Sequence, residues 1–238
     1  MVTAANCIKY GLRKIRVIGQ GATPSSAQST EALYELNALL NEIVGFGAGV
    51  QFQDIYVDSA YEIVPTYNAQ RIICRHSAAL TITLPEGTES RPIADGMRVN
   101  IVDASGAAAT YNITVARNGW KINASAANAT ISTNSESRLY MFRSDLGDWK
   151  PASSLASGDE IPFPSEFDNT FQLMLAHRLG GGYGQRLSEA DFNAMRGGKA
   201  KLRNKYCMPA TMLPEGAVGN LGGLLTGNGV TGQDQSVA

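Results

Sequence analysis

VIGQGATPSS, residues 17–26, is where two possible folds part. Two glycines one residue apart, after an apolar run and ahead of a helix, suggest the phosphate loop of a dinucleotide-binding fold. That loop needs G-x-G-x-x-G after a strand, because the third glycine lets helix and strand approach closely. Here the third position is Pro24. Proline suits the first turn of a helix, where its missing N–H costs nothing, so the stretch reads as a turn between helices. The flanks agree. From Thr3 to Ile18, Ala4, Ile8, Leu12 and Ile15 recur at spacings of three and four while Arg13, Lys14 and Arg16 fall elsewhere, which is the pattern of an amphipathic helix. After Pro24, Ala32, Leu33, Leu36, Leu39, Leu40 and Ile43 mark one face of a second helix that stops at Gly45. The loop is then the elbow of a helical hairpin, with Gly19 or Gly21 expected as the left-handed residue after the first helix.

Beyond residue 50 the texture changes. RIICRHSAALTITLPEG (71–87) and GMRVNIVDASGAAATYNITVARNGWKI (96–122) are short alternating runs rich in Val, Ile, Thr and Tyr. Asp103-Ala104-Ser105-Gly106 reads as turn chemistry, and Asn118-Gly119 is the strongest hairpin signal, since both central residues of a type I′ turn need positive φ. In the run 129–152, Leu139 and Met141, with Leu146, fall on one side and Tyr140 and Phe142 on the other. These runs predict a compact antiparallel β-sandwich or small barrel over residues 58–155.

Helix returns after GDEIPFPSEFDN (158–169). Phe167, Phe171, Met174, Leu175 and Leu179 give a third helix that stops at Gly180-Gly181-Gly182. A fourth opens at LSEADF (187–192), with Ser188 and Asp191 as a capping box and Leu187 packing on Phe192 as a staple; Ala190, Ala194, Met195 and Leu202 lie along it, interrupted by Gly197-Gly198. From 209 to 238 there is almost no charge and much glycine, with Met212, Leu213, Leu221, Leu224 and Leu225 scattered through it. Such a segment does not bury enough by itself to offset its ordering entropy. The expected class is α+β: a four-helix domain of two helical hairpins from residues 1–50 and 160–208, an inserted β domain at 58–155, and an extended C-terminal tail at 209–238.

Composition narrows the function. A chain of 238 residues with 44% hydrophobic residues builds a real core, and a formal charge of −1 gives no global pull toward nucleic acid or anionic membrane. Cys7, Cys74 and Cys207 lie far apart without ligand spacing and read as buried or free thiols. No apolar run approaches the roughly 20 residues that span a bilayer, and the first residues lack the basic-then-apolar order of a signal peptide, so synthesis and use in a cytoplasm are expected. Catalytic signatures are missing. His76 lies among strand residues and His177 on the core side of a helix, neither in a nucleophile setting. Glu86 with Glu89, or Asp145 with Asp148, read as solvated loop acids before they read as a glycosidase pair. Trp120 and Trp149 read as core before sugar platform. No catalytic residue, metal site or cofactor is expected.

CIKYGLRKIRVIGQGATPSSAQSTEALYELNALLNEI (7–43) and EIPFPSEFDNTFQLMLAHRLGGGYGQRLSEADFNAMRGGKAKLRNKY (160–206) resemble the head-to-tail adaptor proteins of short-tailed bacteriophages, also called tail accessory factors or packaged-DNA-stabilising proteins. The β segment looks like a small module common in phage tail and fibre proteins, a large insertion relative to the plainest adaptors. The resemblance implies a virion protein at the head–tail junction, assembled in the host cytoplasm as a homo-oligomeric ring of about twelve copies built by heterologous contacts. Its implied partners are the portal, the tail nozzle, spike or fibre proteins, and genomic DNA passing through the channel without sequence specificity. The tail stations Met212, Leu213, Leu221, Leu224 and Leu225 would run along the portal or a neighbouring subunit. The run RGGKAKLRNKY places Arg196, Lys199, Lys201, Arg203 and Lys205 where they face channel DNA or, as the sequence favours, protein or solvent at a helix end. A second class stays open: a tail or capsid decoration protein whose β domain binds host glycan or another virion protein.

Overall fold

The computed structural model describes residues 2–45, 52–65, 69–87 and 92–206. The first two helices are α1 (Ala4–Lys14) and α2 (Ser26–Leu40), the latter running into a π-turn at Asn41–Gly45. Among the described residues ten strands follow: β1 (Phe52–Val57), β2 (Tyr61–Glu62), β3 (Ala69–Cys74), β4 (Leu80–Thr83), β5 (Arg98–Asp103), β6 (Ile113–Ala116), β7 (Lys121–Ile122), β8 (Ala129–Ile131), β9 (Ser137–Arg143) and β10 (Asp148–Pro151). The chain then returns to helix with α3 (Asp168–Gly180) and α4 (Glu189–Tyr206).

The elbow at residues 17–26 joins two helices, but its chemistry sits one step from where the glycines suggest. The left-handed residue after α1 is Arg16, at φ 59°. Its N–H donates to the Arg13 carbonyl and the Val17 N–H to the Leu12 carbonyl, the paired bonds of a Schellman cap. Gly21 is left-handed within the loop, at φ 89°. At the start of α2 the N-cap is Ser25, with a complete capping box to Gln28, so Pro24 precedes the cap and is not the first helical residue. The apolar stripes are buried as periodicity implies: Ala4, Ile8, Leu12 and Ile15 from α1, and Ala32, Leu36, Leu39 and Leu40 from α2.

The β region departs from the antiparallel expectation. A six-stranded sheet runs β1-β3-β5-β9-β10-β7 and a four-stranded sheet runs β2-β4-β6-β8. Both are mixed: β1–β3, β3–β5, β2–β4, β4–β6 and β7–β10 pair parallel, whereas β5–β9, β9–β10 and β6–β8 pair antiparallel. Neither sheet closes into a barrel. The cause is the path of the chain: through β8 each strand is followed by one in the other sheet, so a strand meets its partner only after a full circuit, and up to β6 the two then run the same way. Asn118-Gly119 shows this locally. Both residues have positive φ, 47° and 90°, as a type I′ turn requires. Yet the turn leads from β6 in one sheet to β7 in the other and is no hairpin.

Two apolar clusters place the layers. One gathers Ile8 and Leu12 from α1, Leu36 and Leu40 from α2, Phe171 and Leu175 from α3, and Met195 and Leu202 from α4, and it also takes Leu139 and Met141 from β9. The other joins Ile72, Val99, Ile101, Phe142 and Trp149 of the larger sheet to Ile82, Ile113, Val115 and Ile131 of the smaller. β9 therefore buries alternate side chains in different cores, and the larger sheet lies between the helices and the smaller sheet. The two halves of the helical layer are tied where they meet: Ala4 N–H donates to Asp159 O at 2.8 Å and Ile161 N–H to Val2 O at 3.0 Å.

Candidate interaction surface

The basic run falls on α4. Ser188 Oγ accepts the Asp191 N–H at 3.1 Å and donates to the Asp191 carboxylate at 3.0 Å, a variant of the expected capping box in which the acid returns to the hydroxyl. Lys14 at the end of α1 reaches the same carboxylate at 3.0 Å, and its ammonium holds that group below the usual carboxylate range. Met195, Leu202 and Tyr206 form the buried side of α4, i, i+7 and i+11 on one face. Gly198 permits the approach to α3, since a Cβ there would stand 2.2 Å from Thr170 Oγ1. Gly197, one residue earlier, has open space around it.

The C-terminal end of α4 is pinned to the larger sheet. Arg98 of β5 donates to the Tyr206 carbonyl at 3.1 Å, and the Tyr206 hydroxyl donates to Asp95 at 3.4 Å. Burial, then the Asp95 charge, pushes the Tyr206 phenol up. Lys205 pairs with Glu166 at 2.6 Å and lies 5.7 Å from the ring centres of both Phe167 and Tyr206. Arg196, Lys199, Lys201 and Arg203 are exposed and, among the described residues, have no acidic partner within 4.0 Å. The run thus divides into one cation used within the fold and four directed to solvent. Met212, Leu213, Leu221, Leu224 and Leu225 lie outside the described residues.

Folding also assembles a group that sequence reading missed. His76, just after β3, is buried; its Nε2 is 2.8 Å from the Tyr111 carbonyl and its Nδ1 3.2 Å from Ser105 Oγ. Ser105 Oγ donates to Asp103 at 2.7 Å. The elements of a Ser–His–Asp array are present but wired otherwise. In a hydrolase the acid orients the histidine and backbone N–H groups stay free for an oxyanion. Here Asp103 takes the serine proton itself and accepts the N–H groups of Ser105, Gly106, Ala108 and Ser135. Burial pushes this carboxyl up, but the Ser105 hydroxyl and the N–H groups of Ala108, Ser135 and Ala107 outweigh it and bring it down to about 2. The wiring fastens the Asp-Ala-Ser-Gly turn to the loop before β9. No sequence signal finds this grouping, because His76 and Ser105 are 29 residues apart.

The remaining candidates are engaged or outside the described residues. His177 is exposed and not core-facing, its ring 5.4 Å from that of Phe192 across the α3–α4 contact. Asp145 pairs with Arg143 and buried Asp148 with Lys150; Glu86 is exposed and Glu89 lies outside the described residues. Trp149 is fully buried, and Trp120 donates its indole N–H to Glu86 O at 2.6 Å. Cys7 and Cys74 are buried free thiols, both pushed up to about 12 by burial; Cys207 lies outside the described residues. No helix among the described residues is long and apolar enough to cross a membrane, and no group of three His, Cys, Asp or Glu among them is placed to hold a metal ion. Comparison with protein-family models and with curated proteins finds no match.

Proposed function

We propose that this chain is a structural virion protein, a head-to-tail adaptor that forms a ring between portal and tail, closes the channel wall and helps retain packaged DNA. The observation that carries the reading is the split helical layer. Helices from residues 4–40 and 168–206 share one core although the whole β region lies between them, so the two stretches that carry the adaptor resemblance fold into one layer. The surface chemistry is consistent with assembly. α4 turns four cations outward, and the low-charge segment 209–238 follows it in the sequence. Extended segments of this composition gain affinity by covering a large surface, at the cost of ordering on arrival. In this reading the β layers are an outward platform for nozzle, spike or fibre proteins. The glycan-binding alternative gains no support from the tryptophans, since one is sealed in the core and the other is held by a carbonyl.

The reading is tested by mixing the full chain, and a chain truncated after Cys207, with the cognate portal ring and imaging both by negative-stain microscopy. The full chain is expected to decorate the portal and the truncated chain to fail. A full chain that ignores the portal while the same preparation saturates with carbohydrate reverses the choice between the two classes.

A further inference from the structure

The formal charge of −1 is an average over an uneven chain. Residues 192–206 hold five of its 20 Lys and Arg and none of its 21 Asp and Glu. Lys205 pairs with Glu166, while Arg196, Lys199, Lys201 and Arg203 are exposed and, among the described residues, have no acidic partner within 4.0 Å. Three of these, Arg196, Lys199 and Arg203, stand at i, i+3 and i+7, so they share one side of α4 over about 10 Å of its axis. Neither usual reason for such a stripe lies within the fold. The negative end of a helix dipole favours cations only in the last turn, and Arg196 and Lys199 lie more than a turn before the end at Tyr206. Like charges at i, i+3 and i, i+4 weaken a helix, so Arg196 with Lys199, and Lys199 with Arg203, oppose the element that carries them. An anion from outside relieves that repulsion.

We propose that this side of α4 binds the phosphate backbone of duplex nucleic acid without reading its sequence. The surroundings of the stripe select the ligand. Besides the cations, the exposed residues from 193 to 204 are Asn193, Ala194, Gly197, Ala200 and Asn204. A protein partner is gripped by aromatic or aliphatic anchors in a charge-depleted centre, and none stands here. A single strand is held by aromatic rings on which its bases stack, and none stands here either. Arg, Lys and Asn are side chains that meet phosphate oxygens, and Ala200, at i+4 from Arg196, keeps the surface beside them low. Three such contacts per chain hold a duplex weakly, and because successive phosphates are equivalent the duplex still slides. This assignment rests on the adaptor reading only for the source of the duplex, and it replaces the expectation that the run meets protein or solvent.

The full chain, free of portal, is titrated into a fluorescent DNA duplex of about 30 base pairs of random sequence, a single strand of the same length, and labelled polyglutamate, in salt from about 50 to 200 mM. The duplex is expected to bind at least tenfold more tightly than polyglutamate or the single strand. Arg196→Gln/Lys199→Gln/Arg203→Gln is expected to weaken duplex binding at least tenfold and to reduce the slope of log K against log salt by about three. Lys9→Gln/Lys121→Gln/Arg186→Gln, which removes the same charge from other elements, is expected to leave the affinity within about threefold of wild type. Thermal unfolding checks the fold: the stripe variant is expected to melt at or above the wild-type temperature because its like-charge pairs are gone, and the duplex is expected to raise the melting temperature of wild type alone. Equal losses from the two triple variants, or no duplex binding by wild type at about 50 mM salt, overturn the assignment. Tighter binding of polyglutamate gives the stripe to an acidic protein and overturns it as well. A chain that binds duplex as described but ignores the portal keeps this face and overturns the adaptor; one that decorates the portal but not the duplex overturns this face alone.

Discussion

Asp103 ties the Asp-Ala-Ser-Gly turn to the loop before β9. It accepts one hydroxyl and several backbone N–H groups, so Asp103→Asn removes the charge and turns an NH2 toward donors. A loss of about 2–3 kcal/mol at neutral pH is expected in urea unfolding. The folded carboxyl titrates near 2, below its ordinary 3.8, so its contribution is complete above the unfolded value and disappears as pH falls through the folded one. The stability gap between wild type and Asp103→Asn is therefore expected to be constant from pH 7 to about 5 and to close toward about 2. Arg16 is the residue-scale counterpart in the helical layer. It holds φ 59° in a Schellman cap without being glycine, and Arg16→Gly is expected to raise stability by about 0.5–1 kcal/mol in the same assay.

Among the elements, α4 separates two adjacent glycines that look alike in sequence. Gly197→Ala meets open space on an exposed helix and is expected to stabilise by up to about 1 kcal/mol. Gly198→Ala drives a methyl into the β-branched side chain of Thr170 and is expected to cost about 1–3 kcal/mol. Thermal unfolding of the two variants checks the pair, and equal effects would place α4 wrongly on α3. The helices were legible because a 3.6-residue stripe names both the element and its buried face: Ile8, Leu12, Leu36 and Leu40 could be read off directly. The strands were legible as strands but not in their pairing. Alternation in a run such as 98–103 says which side chains are buried and is silent on which strand lies alongside or which way it runs. Asn118-Gly119 made the same point, since its positive φ values followed from residue type while its neighbours depended on the path of the whole chain. The basic run was visible as a cluster, but that Lys205 turns inward to Glu166 and four cations turn outward depends on how α4 rolls on α3. The His76–Ser105–Asp103 group was invisible because only the sheets bring those loops together.

For the whole molecule, β9 of the larger sheet is buried on both sides, and this couples the helices to the smaller sheet. Met141 and Phe142 are consecutive on β9 yet belong to different cores. Met141→Ala and Phe142→Ala are each expected to cost about 2–5 kcal/mol, and because the cores share β9, each variant is expected to unfold in a single calorimetric transition. Two separated transitions would mean that the helices and the β layers fold independently. The same coupling bears on the surface: α4 is held against α3 at Gly198 and to β5 by Arg98, and these contacts set which of its cations face outward. The most direct measurement of the adaptor reading is native mass spectrometry of the full chain bound to its portal ring. A closed complement of about twelve copies per portal is expected. One or two copies per portal, or a count that rises without limit as chain is added, contradicts a ring adaptor.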